Sequence, residues 1–131
     1  MKKLYIDIDG VLVSGGKATL WVTEFLRFAT EHFDCYWLST HCQGDTRPVF
    51  LYLVSRLPSE ALPSIEKIKP TEWQHWKTEA IDFSSPFVWL DDNLFEMERR
   101  TLIEHSALDN FIHINLTAQP NQLADVIQKL S

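Results

Sequence analysis

The sequence predicts an α/β sandwich built on a largely parallel sheet, and three observations carry that expectation. Short β-favouring runs alternate along the chain with longer stretches of near-helical apolar spacing. Each of the first three runs stops abruptly in polar or acidic residues, as buried strands do where they meet their loops. The third observation is size: 131 residues, 45% of them hydrophobic, can bury one core and leave little room for a second. A single domain spanning 1–131 is therefore expected.

The elements follow in order. Leu4 to Ile8 is the first strand, halted at the turn Asp9-Gly10. After the flexible Ser14-Gly15-Gly16, the apolar residues Leu20, Val22, Phe25, Leu26 and Ala29 predict a helix from Thr19 to about His32. Cys35 to Leu38 is a second strand, followed by the polar stretch Ser39 to Asp45. Pro48 suits a first helical turn, so Val49 to Leu57 is expected to be helical until Pro58 and Pro63 break it. From there to Pro70 the chain reads as irregular or briefly extended, so no strand is well marked between Leu38 and Lys77 and the sheet is expected to be reduced. Thr71 and Glu72 resemble the cap and first turn of a helix reaching about Ile81. Phe87 to Leu90 is a third strand, Asn93 to Ser106 a helix, Phe111 to Ile114 a fourth strand and Asn121 to Leu130 a closing helix.

In parallel sheets the ligand crevice lies outside the carboxyl ends of the strands. Here those ends carry Asp7 and Asp9, then Ser39 and Thr40, then Asp91 and Asp92. Polar chemistry thus gathers on one rim.

A formal net charge of −6 argues against a general electrostatic grip on nucleic acid or anionic membranes. A nucleic-acid substrate would need a local basic path, for which Arg47, Arg56, Lys67 and Lys69 are the candidates. No apolar run is long enough to span a bilayer, and the N-terminal stretch is broken by aspartates, so no signal peptide is expected and the cytoplasm is the default location. Cys35 and Cys42 lack the spacing of a redox or zinc pair and read as free thiols. The five histidines form no metal-ligand pattern; His41, on the polar rim, reads as a loop histidine. The tryptophans read as packing residues.

The segment IDIDGVL places two carboxylates two residues apart, where they point the same way as long as the backbone stays straight. Alone, it serves equally as a calcium loop or an ordinary turn. Ser39-Thr40, taken alone, is turn chemistry. Lys77 falls between Trp73, Trp76, Ala80 and Ile81 on the apolar stripe of the expected helix, where a lysine needs an anionic partner or a route to water. Lys67 and Lys69 remain alternatives.

Together, DIDG at 7–10, WLST ending at Thr40, WKTEA around Lys77 and WLDDN at 89–93 resemble, in order, the motifs of the haloacid dehalogenase superfamily. The resemblance covers nearly the whole chain. It implies a three-layer Rossmann-like sandwich without a sizeable cap domain, since no long insertion follows either of the first two motifs, and phosphatase chemistry, since both aspartates of the first motif are present. A phosphate ester arrives as a dianion and its attacker is also an anion, so a divalent cation is needed; Mg2+ suits hard oxygen ligands. The resemblance implies Asp7 as nucleophile, Asp9 as general acid and base, and Ser39 (or Thr40) and Lys77 as phosphoryl contacts. The metal would be held by Asp7, the carbonyl of Asp9 and one of Asp91 and Asp92, with Asp92 favoured. Because neighbours on a straight strand face opposite ways, only one of that pair is expected in the site. An open site implies a phosphorylated substrate that is bulky or macromolecular. A nucleic-acid-end phosphatase and a non-catalytic binding domain are the competing readings.

Overall fold

The computed structural model describes all residues from Met1 to Ser131. Its centre is a four-stranded parallel sheet in the order β4-β1-β5-β6, with β1 at Lys3–Ile6, β4 at Asp34–Trp37, β5 at Phe87–Asp91 and β6 at Phe111–His113. A small antiparallel hairpin, β2 (Val13–Ser14) and β3 (Lys17–Ala18), follows the first motif. The helices are α1 (Val22–His32), α2 (Arg47–Leu53), α3 (Leu62–Ile65), α4 (Glu96–Glu104) and α5 (Gln122–Leu130).

Strand periodicity divides the core into two faces. Leu4 and Ile6, Cys35 and Trp37, and Val88 and Leu90 join a cluster containing Phe25, Leu26 and Ala29 of α1 and Leu123 and Val126 of α5. The alternate residues Tyr5, Phe87 and Trp89 join Leu102 of α4 and Ile81 on the opposite face. Helices therefore cover both faces, and the α/β sandwich expected from the alternating runs is the one found. No helix is long and apolar enough to cross a membrane, and both cysteines are free and buried.

Three local expectations need correction. The first strand ends at Ile6 rather than Ile8, because the Ile8 carbonyl accepts the amides of Val11, Leu12 and Val13 and turns the chain. The helix expected from Thr71 to Ile81 is only a 3-10 turn at Lys77–Ala80. Its upstream amides have other partners: the Glu79 carboxylate accepts from Gln74, His75 and Trp76, and Gln43 accepts from Trp73. With those donors satisfied from the side, the helical ladder has nothing to gain. Finally, the segment from Pro58 to Pro70 is partly helical, and at its end Lys69 makes one parallel bridge to Tyr36. That single bridge is all that extends the sheet beyond β4.

Candidate active site

The register of the sheet builds the site. Ile6 pairs with Leu90, and the Asp7 amide donates to the Leu90 carbonyl at 3.1 Å, so Asp7 and Asp91 stand side by side at adjacent strand ends. By strand parity both belong to the Tyr5 and Trp89 face. That is the face covered by the 70–86 segment, which delivers Lys77. The Lys77 ammonium lies 3.2 Å from Asp7 Oδ1 and 2.6 Å from Asp91 Oδ2. Asp7 and Asp91 are buried.

Lys77 is thus the lysine brought to the carboxylates, though not by an amphipathic helix. Its backbone is fixed instead by Glu98, whose buried carboxylate accepts the Lys77 amide at 2.9 Å and the Phe95 amide at 3.1 Å. One acid therefore ties the lysine-bearing turn to the start of α4, a link with no local sequence signal. Lys69 is paired with Asp34 at 2.9 Å on the sheet edge, and Lys67 is exposed.

Asp92 completes a group in which one oxygen each from Asp7, Asp91 and Asp92 lies within 4.8 Å of the others. The expectation that only one of the pair faces the site is revised. The Asn93 amide donates to Asp91 Oδ1 and turns the chain after β5, so Asp92 does not follow the alternation of a straight strand. Asp92 packs on Gly10, where a Cβ would meet Asp92 Oδ2 at 2.2 Å. Gly10 also has φ +84°, so both space and backbone require glycine.

Electrostatics mark the cluster. Burial, followed by the neighbouring charge of Asp91, pushes the Asp7 carboxyl up to about 8, with Lys77 opposing. Burial and Asp91 also raise Asp92. Burial would lower the Lys77 ammonium, but Asp7 and Asp91 outweigh it and hold it above the ordinary range. Lys77 pairs with Asp7 and Asp91, and Asp92 has no cation beside it.

Asp9 lies on the same cleft but faces differently from what a straight strand predicts. Its Oδ2 is 2.8 Å from His41 Nε2 and its Oδ1 accepts the Tyr52 hydroxyl at 2.8 Å. Partial burial would raise its carboxyl, but the hydrogen bonds from His41 and Tyr52 outweigh it, and the group sits below the usual carboxylate range. Its side chain does not belong to the three-carboxylate group. Tyr52 had no sequence signal, since it lies on α2, distant in sequence from every motif; His41 could be placed only by its position on the rim.

The cleft holds about 260 Å³ and is walled by Asp7, Asp9, Lys77, Asp91 and Asp92 together with Thr40, Trp73 and Phe95. Thr40 is exposed there, whereas Ser39 is buried, does not line the cleft, and has its Oγ accepting the His41 amide at 3.1 Å. Of the basic residues that a nucleic-acid path would use, Arg56 alone stands near the site, stacked on Tyr52; Arg47 lines a separate cavity. No family model matches this chain, and neither a curated protein nor a solved structure significantly matches it.

Proposed function

We propose that this chain is a magnesium-dependent phosphohydrolase of the haloacid dehalogenase type, acting on phosphate monoesters. The observation that carries the reading is the convergence of Asp7, Asp91, Asp92 and Lys77 at the carboxyl ends of two adjacent parallel strands. The donor set fits a hard divalent cation: three carboxylate oxygens converge while the one ammonium reaches only Asp7 and Asp91, and Asp7 is driven toward its neutral form without further countercharge. Asp7, Asp92 and the carbonyl of Asp9 would hold the ion, with Asp91 engaged by Lys77. When bound, Mg2+ supplies the positive charge that lets a phosphate dianion and an ionised carboxylate approach one another.

The chain's own residues divide the work. Asp7 attacks phosphorus; the bond from its carboxylate oxygen to phosphorus forms as the bond to the leaving oxygen breaks. Asp9, which rests ionised, first takes up a proton from solvent and gives it to the leaving oxygen as the ester bond breaks; it then takes one from the water that attacks the aspartyl-phosphate and frees Asp7. Lys77 holds Asp7 in line and meets the phosphoryl oxygens. The exposed hydroxyl of Thr40 serves as the phosphoryl donor in place of Ser39. Only the short hairpin β2–β3 stands between the first motif and α1, so the cleft stays open to a bulky leaving group.

Release of phosphate from an aryl phosphate, lost in chelator and restored by added magnesium, tests the reading. Activity that is equal with and without chelator excludes the metal mechanism, and no phosphate release from any ester in a panel of sugars, nucleotides and phosphopeptides excludes the hydrolase.

A further inference from the structure

We propose that Tyr52 and His41 are positioning residues for the proton-transferring carboxylate of Asp9, held in place by Arg56, a role that rests on the phosphohydrolase reading. Three flat groups form a column beside Asp9. The His41 and Tyr52 rings stack at 4.0 Å between centroids and 25° between planes, and the Arg56 guanidinium lies 4.0 Å from the centre of the Tyr52 ring. Arg56 also donates from an η nitrogen to the Tyr52 carbonyl at 2.7 Å, so it is tied to the same turn of α2 that it stacks upon. From this column one donor reaches each oxygen of Asp9, both at 2.8 Å.

Two donors on two oxygens fix the plane of a carboxylate, and an ionised carboxylate offers about four lone-pair sites, so two stay open toward the cleft. The need for such a device is local. The Asp9 side chain is 56% exposed and follows the end of a strand, so without partners it would sample several rotamers. Proton transfer demands hydrogen-bond reach to the leaving oxygen, and misplacement by about 1 Å can cost on the order of a hundredfold. Column and carboxylate together join three separate segments: His41 comes from the loop after β4, Tyr52 from α2, and Asp9 from the loop after β1. Neither Tyr52 nor His41 is among the residues walling the cleft, which makes them supports for Asp9 rather than contacts of the phosphate.

A double-mutant cycle on the full chain tests this, with an alkyl phosphate and an activated aryl phosphate as substrates. Tyr52→Phe keeps the ring and loses only the hydroxyl. It should lower kcat for the alkyl ester about tenfold with KM changed less than twofold; with the aryl ester, on which both backgrounds are compared, it should lower kcat at least threefold when Asp9 is present and add less than a twofold loss in the Asp9→Asn background. His41→Ala should behave likewise, and His41→Gln, which keeps an N–H donor, should recover much of the loss. Melting temperatures measured alongside separate a folding defect from a lost position. Wild-type kcat in both Tyr52→Phe and His41→Ala, or equal losses with and without the Asp9 carboxylate, would overturn the inference while leaving the phosphohydrolase reading intact. Full activity of Asp9→Asn would instead remove that reading and the inference with it.

Discussion

Lys77 and Asp91 form a 2.6 Å ion pair whose side chains are 15% and 1% exposed, and the same ammonium reaches Asp7. Charges so removed from water persist only when each is paired, so Lys77 holds together a site that would otherwise repel itself. Lys77→Ala should therefore lower turnover at least a hundredfold, in the range seen when a charged transition-state contact is removed. Lys67→Ala and Lys69→Ala should remain within about twofold, since Lys69 serves Asp34 and Lys67 faces solvent. Steady-state kinetics on the three variants, with circular dichroism to confirm folding, decide the point; a dominant effect at 67 or 69 would reassign the third motif.

Gly10 and Asp92 give a steric prediction. A methyl group at Gly10 collides with Asp92 and strains a backbone at φ +84°, a combined cost of roughly 1–3 kcal/mol. Gly10→Ala should raise the magnesium concentration needed for half-maximal activity at least tenfold. Gly15→Ala has a positive φ too but nothing within 4 Å, and it should leave the magnesium requirement unchanged. A magnesium titration of both variants compares them directly.

Much of this arrangement could be read from residue order, because strand parity and strand ends are local properties. Leu4 to Ile6 and Phe87 to Leu90 announce buried parallel strands, and the acidic residues that stop them land on the rim where Asp7 and Asp91 meet. What escaped were interactions between distant segments. Glu79 satisfying three upstream amides abolished an expected helix, and Glu98 binding the Lys77 amide put the right lysine in place for a different reason. Tyr52 and Asp9 are 43 residues apart, and no periodicity links them.

The raised Asp7 carboxyl makes the metal-free protein sensitive to pH. Folded Asp7 keeps its proton up to about 8, whereas the unfolded chain releases it near the ordinary carboxylate value of 3.8. Between those values the folded state binds more protons, so Asp7 lowers stability as pH rises across that window. In chelator, Asp7→Asn should melt close to wild type at pH 4 and several degrees above it at pH 8, where each kcal/mol is worth roughly 3–6 °C in a domain of this size. Parallel melting curves at all pH values would contradict the assignment.

Calcium should replace magnesium poorly. Its larger, more flexible oxygen shell would shift Asp7 relative to phosphorus while still binding the carboxylates. It should therefore inhibit in competition with magnesium, and turnover supported by calcium should fall at least tenfold below that with magnesium. Rates measured across mixtures of the two ions read this out.

The central claim is that Asp7 carries the phosphoryl group while Asp9 moves the protons. With an activated aryl phosphate the leaving group needs little protonation, so Asp9→Asn slows phosphorylation less than it slows hydrolysis of the intermediate. Rapid quench of Asp9→Asn with such a substrate, followed by peptide mass spectrometry, should find the added phosphoryl mass on Asp7, and Asp7→Asn should neither label nor turn over. Phosphoryl mass on any other residue, or wild-type turnover by Asp7→Asn, would contradict the account.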